Sequence, residues 1–188
     1  NIPVPHTTQW YLNEEVAGCA IPIFNLLCQL AANNKLLHID DTHLKIIDEI
    51  IDNRKRPDKE RRGMFTTGIL AKFKTHKIIL YFNGTDHAGE NLDNLLKHRK
   101  VKEPLVIMSD ALSRNIPSFK NIISCFCLSH GYRKFGELKS FYTVPCEKVV
   151  SMISQVYKVD NQTKDMTDRQ RLKHHQKHLH LLKHNTLY

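Results

Sequence analysis

No uninterrupted apolar run in the sequence approaches the 18 or more residues that a membrane span requires, and no basic segment followed by an apolar one opens the chain. The expectation is a cytoplasmic protein with no membrane partner. Cysteine is scarce: the five, at positions 19, 28, 125, 127 and 146, form no even, evenly spaced framework, which argues against a disulfide scaffold and suits thiols in a reducing compartment. Carboxylates are outnumbered, with 19 Asp and Glu against 28 Lys and Arg, and the formal charge is +9. That balance points to a polyanionic partner, although basicity alone does not separate nucleic acid from an acidic membrane surface. The excess is concentrated, since from Tyr132 to Tyr188 there are 11 Lys and Arg against 5 Asp and Glu. Internal repeats and low-complexity linkers are absent. The chain begins with Asn1 rather than Met, as a piece of a longer protein would.

What is present suffices for a core, because 41% of the 188 residues are hydrophobic. The organising stretch is Leu36-Leu37-His38-Ile39-Asp40-Asp41-Thr42, an apolar run that ends in two carboxylates and resumes as Leu44-Lys45-Ile46-Ile47. A second such strand follows at Pro104-Leu105-Val106-Ile107-Met108-Ser109-Asp110. A strand that is apolar up to a terminal Asp sets that carboxylate at the rim of a sheet, and two such strands side by side make a site for a divalent metal.

Taken in order, residues 1–35 carry helical apolar spacing behind candidate caps Thr7 and Thr8, with Pro22 kinking one helix or starting a second. A helical hairpin is expected there, with Trp10, Cys19 and Cys28 in the core. The first acidic strand, roughly 36–48, precedes a charged loop in which Arg54, Lys55, Arg56, Arg61 and Arg62 are candidate phosphate contacts. Met64–Ala71 and Ile78–Phe82 read as an antiparallel hairpin, Glu90–His98 as an amphipathic helix, and Ile122–Leu128 as a fifth strand. The remainder reads as helix, with Thr167 capping a last helix that ends in histidines. The fold class expected is α/β (α+β), an RNase H-like mixed five-stranded sheet with flanking helices, strands one and four adjacent, and a mostly helical C-terminal region. Three segments are expected: an N-terminal helical segment at 1–35, the core at 36–130 and a basic helical region at 131–188.

Five ordered blocks give the sequence a more specific likeness. They are Leu37-His38-Ile39-Asp40-Asp41-Thr42, Gly63-Met64-Phe65-Thr66-Thr67-Gly68-Ile69, His87-Ala88-Gly89-Glu90-Asn91-Leu92, Ser109-Asp110-Ala111-Leu112-Ser113-Arg114-Asn115, and Cys127-Leu128-Ser129-His130-Gly131-Tyr132-Arg133-Lys134-Phe135. The chain resembles the central region of bacterial insertion-sequence transposases of the IS66 type over nearly its whole length. The resemblance implies a DDE-type recombinase, in which two Asp and one Glu hold two Mg²⁺ or Mn²⁺ ions for cleavage and transfer of DNA strands. It also implies transposon-end DNA as partner, a homodimer or higher assembly on that DNA, and a nucleoid-associated location. Asp40 matches the first acid and Asp110 the second, both catalytic and metal-binding, while Asp41 matches a further acid that supports them. His130, Arg133 and Lys134 are implied as contacts to DNA phosphate, with plain packing at a helix start as the open alternative. The family's third acid lies in an Asp-Asn-Asn segment followed by an acid–Arg pair, and nothing like it occurs before Tyr188. Two alternatives stay open, a fragment or a decayed element.

Other constellations carry plainer readings. Cys127 and His130, with Cys125 nearby, have no second ligand pair and make a weak zinc signal. His174, His175, His178, His180 and His184 read as a solvated basic face. Glu90 is either an added metal ligand or a helix N-terminal charge that complements the macrodipole. Besides the transposase core, a catalytically inactive nucleic-acid-binding remnant is the alternative. A nuclease using Asp40, Glu90 and Asp110 ranks below both.

Overall fold

Alternation makes the central strand. In β1 (Leu36–Leu44) the side chains of Leu37 and Ile39 are buried while their neighbours turn to the other face, the period-two pattern of a half-covered sheet. The computed structural model describes residues 3–44 and 63–184, with residues 179–184 by backbone alone. β1 is joined by β2 (Met64–Lys72), β3 (Lys77–Gly84), β4 (Leu105–Ser109) and β5 (Ile122–Phe126) in the order β3-β2-β1-β4-β5. The hairpin strands β2 and β3 pair antiparallel, as do β1 and β2, whereas β1–β4 and β4–β5 pair parallel. A parallel pair needs a crossover, and α2 (Ala88–Leu96) lies in the one between β3 and β4. The result is a mixed α/β fold in an RNase H-like arrangement.

The core lies on one face of this sheet. Leu37, Ile39, Ile69, Leu80, Leu105 and Ile107 meet Leu92, Leu95 and Leu96 of α2 and the C-terminal end of α1 (His6–Ala32), whose Ala31 and Ala32 are fully buried. The chain divides into two compact units, Asn1–Phe126 and Cys127–Tyr188. In the second unit, α3 (Leu128–Leu138), α4 (Thr143–Asn161) and α5 (Asp168–His184) follow one another. Thr167 caps α5 in exchange with Gln170, as its position suggests. The Asp160 carboxylate at the end of α4 accepts hydrogen bonds from Arg171 at 2.6 Å and His175 at 3.0 Å, and the Arg171 guanidinium holds it below the usual carboxylate range.

Three expectations for the N-terminal segment are corrected. It is one helix with Pro22 inside it, not a hairpin. The carbonyl that Pro22 leaves without a donor belongs to Gly18, an exposed residue at which water can replace the missing N–H. The helix starts after Pro5, and neither Thr7 nor Thr8 caps it, because both already lie within its first turn. Only the last part of α1 reaches the sheet, through Cys28, Ala31, Ala32 and an edge contact of Phe24 on Phe82 at 5.9 Å. Trp10 is therefore 70% exposed and Cys19 is exposed, where core positions were expected. By length and composition α1 is long and apolar enough to cross a membrane, with mean hydropathy 1.5; a search for uninterrupted runs misses it because Asn13, Glu14, Glu15, Asn25 and Gln29 intervene. β5 is shorter than expected, since Cys127 already caps α3. The strand continuation at 45–48 and the candidate phosphate contacts Arg54, Lys55, Arg56, Arg61 and Arg62 lie outside the described residues.

One side chain locks α1 to the start of β1. The Arg99 guanidinium donates to the carbonyls of Ala32 at 2.7 Å, Asn34 at 2.8 Å and Glu103 at 2.8 Å, and burial lowers its pKa. Arg99→Ala leaves carbonyls without donors and should cost about 2 to 3 kcal/mol in urea unfolding. Arg99→Lys should recover little of it, because an ammonium cannot span three acceptors as the planar fork does.

Candidate functional site

The two acids that the sequence singles out belong to neighbouring strands. Parallel pairing sets Leu37 beside Ile107 and His38 beside Met108. Asp40 lies two residues beyond the last of these pairs in β1, and Asp110 two residues beyond it in the other strand, directly after Ser109, the last residue of β4. Alternation buries Leu37, Ile39, Ile107 and Ser109 toward α2 and turns Asp40 to the opposite face, while Asp110 follows the end of β4 and is half-buried. Asp40 is exposed, at the end of an open groove lined by His38, Thr42, Thr66, Gly68, Leu70, Ile79 and Tyr81.

The two carboxylates are held differently. Asp40 Oδ1 accepts from the neighbouring Asp41 N–H, at 3.0 Å. Asp110 Oδ1 accepts from the Leu112 N–H at 3.3 Å and, in a short hydrogen bond, from the side-chain amide of Asn115, which is 1% exposed. Asn115 closes a 3₁₀ turn (Ser113–Asn115), and that turn seats on α2 through Gly89. A Cβ built on Gly89 would come within 2.7 Å of the Ile116 carbonyl oxygen and 2.8 Å of that of Arg114. Glycine is needed here for close approach.

Asp41 points the other way, into the protein, with its side chain 2% exposed. Its Oδ1 accepts from Thr67 Oγ1 at 2.9 Å, and its Oδ2 lies 3.4 Å from His87 Nδ1. Thr67 in turn accepts from Asn91 Nδ2 at 2.9 Å. His87 caps α2 and stacks at 4.3 Å on Phe65, which also meets His43 at 4.8 Å and lies under the Arg114 guanidinium at 5.7 Å. Glu90 closes the capping box by accepting from the His87 N–H at 2.9 Å. Its carboxylate belongs to α2, on the side of the sheet away from Asp40.

Thr67, His87, Asn91 and Asn115 are the residues that sequence reasoning passed over. All lie inside the ordered blocks quoted above, which was the available signal; their partners became visible only with strand register. In the second unit, His130, Arg133 and Lys134 occupy one face of α3 at the spacing i, i+3, i+4, with Lys134 also paired to Glu137 at 3.0 Å on the surface. Burial pushes the Cys127 thiol up, but hydrogen bonds from the His130 imidazole and from the backbone N–H groups of His130 and Ser129 outweigh it and leave the thiol below its ordinary pKa. His174 and His178 stack at 4.3 Å and His175 bonds Asp160, so this part of the histidine-rich helix is engaged within the unit rather than simply solvated. Among the described residues no group of three or more His, Cys, Asp or Glu side chains is arranged to hold a metal ion.

A family model described as Transposase IS66 family matches residues 11–186. The chain belongs to the IS66 transposase family. No curated protein and no solved structure matches it. Membership makes this IS66 chain part of a transposase of an insertion-sequence family, with DNA as its partner, in a group that generally uses divalent metal ions. The oxygen donors of Asp40 and Asp110 suit one such hard cation completed by water, and fall short of a set for two.

Gly89→Ala should lower stability by about 1 to 3 kcal/mol, because two backbone carbonyls must move to admit the methyl group. Gly18→Ala, in the same unit with nothing in contact, should be neutral or stabilising by up to about 1 kcal/mol. Urea unfolding of both variants checks this, and equal losses would show that the close approach at Gly89 is not what its position requires.

Proposed function

We propose that residues 36–130 are the catalytic-core portion of a DDE-type DNA transposase, with Asp40 and Asp110 as the catalytic acids and as ligands of Mg²⁺ or Mn²⁺. The observation that supports this is the parallel pairing of β1, which carries Asp40, with β4, which Asp110 directly follows. A bound divalent ion supplies activation of the attacking oxygen and charge stabilisation on phosphorus. The chain's own residues fix the ligands. Asn115 and the Leu112 N–H orient the Asp110 carboxylate, while Asp41, clasped by Thr67 and His87, anchors the backbone from which Asp40 projects.

His130, at the end of the core segment, and Arg133 and Lys134, at the start of the basic region 131–188, are proposed to contact DNA phosphates. Such contacts bind without reading bases and weaken steeply with salt. The protein is proposed to act as a homodimer or higher assembly on transposon-end DNA, in a bacterial cytoplasm and at the nucleoid. The same surface also supports a second reading, a catalytically inactive nucleic-acid-binding remnant, favoured by the lack of a third clustered ligand among the described residues.

Two carboxylates do not supply enough anionic oxygen to hold two divalent ions against their mutual repulsion. The isolated 188-residue chain is therefore expected to bind duplex DNA but to perform no strand transfer with Mg²⁺ or Mn²⁺. A cleavage assay with Asp40→Asn and Asp110→Asn controls decides it. Metal-dependent cutting that both substitutions abolish would contradict the expectation and assign the third acid to these residues, with Glu90 the first to test.

A further inference from the structure

The exposed side of α1 carries an ordered pattern that the transposase reading does not use. Leu12, Val16, Cys19, Ile23, Leu26 and Leu30 follow one another at alternating steps of four and three residues. This is a heptad seam, with Val16, Ile23 and Leu30 at one core position and Leu12, Cys19 and Leu26 at the other. All six are exposed, from 44% for Leu30 to 71% for Val16. The residues through which α1 packs on its own sheet, Phe24, Cys28 and Ala31, lie roughly on the opposite side of the helix.

We propose that this seam is the dimerisation surface of the protein, pairing α1 with α1 of a second copy as a parallel, in-register two-stranded coiled coil. β-Branched residues at the first core position with Leu at the second favour two parallel strands, and Val16 and Ile23 against Leu12 and Leu26 fit that rule. No Lys or Arg occurs between His6 and Ala32, and the parallel arrangement sets Glu15 against Ala20 of the second helix, so no like charges oppose pairing. Because the sheet is attached on the far side of α1, a two-fold axis along the seam leaves both sheets on the outside. Closure would bury on the order of 1,000 Å² in total, near the lower limit for a specific interface, which fits association in the micromolar range. A membrane partner fits less well: the apolar stripe is flanked by Asn13, Glu14 and Glu15, and the end of the helix is committed to the sheet.

The inference names a surface for the assembly proposed above, and its test uses neither DNA nor metal, so its failure leaves the acid pair untouched. Sedimentation equilibrium of the full chain should show a monomer–dimer equilibrium with a midpoint on the order of 10 µM. Ile23→Glu should weaken it at least about tenfold with an unchanged thermal melt, because Ile23 is 63% exposed in the single chain. In a Cys19→Ser background, Leu12→Cys should give a dimer with a short bismaleimide, since parallel helices set position 12 against itself. Antiparallel helices would set it opposite Leu30, about 27 Å away along the axis. A chain that stays monomeric, an Ile23→Glu variant that dimerises as before, failure of the Leu12→Cys crosslink, or sedimentation with phosphatidylcholine vesicles that Ile23→Glu abolishes would each overturn the proposal.

Discussion

The candidate site depends on a short parallel contact. Among the described residues three pairs join β1 to β4, from Leu36 beside Val106 to His38 beside Met108, and they set the phase between the strand that carries Asp40 and the one that Asp110 follows. A slip of one residue would turn one of the two carboxylates into the core. The phase is pinned at the start of the strand by the Val106 N–H donating to the Lys35 carbonyl at 3.0 Å, and by Arg99 and Asn34 holding the turn between α1 and β1. Across the sheet the eight antiparallel pairs between β1 and β2 stiffen the same strand out to Leu44. The two acids are then held to different degrees, Asp110 by Asn115 and the Leu112 N–H and Asp40 by the Asp41 N–H.

The neighbouring carboxylates Asp40 and Asp41 show how one strand gives two identical side chains opposite uses. Period-two geometry sends Asp40 to the open face and Asp41 under α2, where Thr67 and His87 satisfy it. Burying a carboxylate costs free energy unless donors meet it, so Thr67, His87 and Asn91 form a set whose members depend on one another. Through the capping of α2 by His87 and the seating of Gly89 under the 3₁₀ turn, that set is mechanically continuous with the loop that carries Asp110. The two strand ends are thus braced by one helix.

Much of this was legible in sequence. The five strands and the α2 region follow from apolar alternation and turn residues, the adjacency of β1 and β4 from analogy with the RNase H-like strand order, and the acids declare themselves because each terminates an apolar run. What was not legible depended on distance in space. Apolar spacing in residues 6–32 reads as burial, yet most of that helix extends past the sheet it would pack on, so Trp10 and Cys19 are exposed. The division of labour between Asp40 and Asp41 needed the register, and the role of Asn115 needed the loop that folds it back on Asp110. Gly89 looked like part of a motif, while its reason is a pair of carbonyls from a segment 25 and 27 residues away.

The central claim is that Asp40 and Asp110 act together as ligands of one divalent cation. A crystal of the chain soaked in Mn²⁺, measured for anomalous scattering, tests it most directly. The account predicts one anomalous peak with oxygens of both carboxylates at about 2.1 to 2.3 Å, absent from Asp40→Asn crystals treated alike. A peak held by Glu90 without Asp40, or carboxylates of residues 40 and 110 too far apart to share an ion, would contradict it.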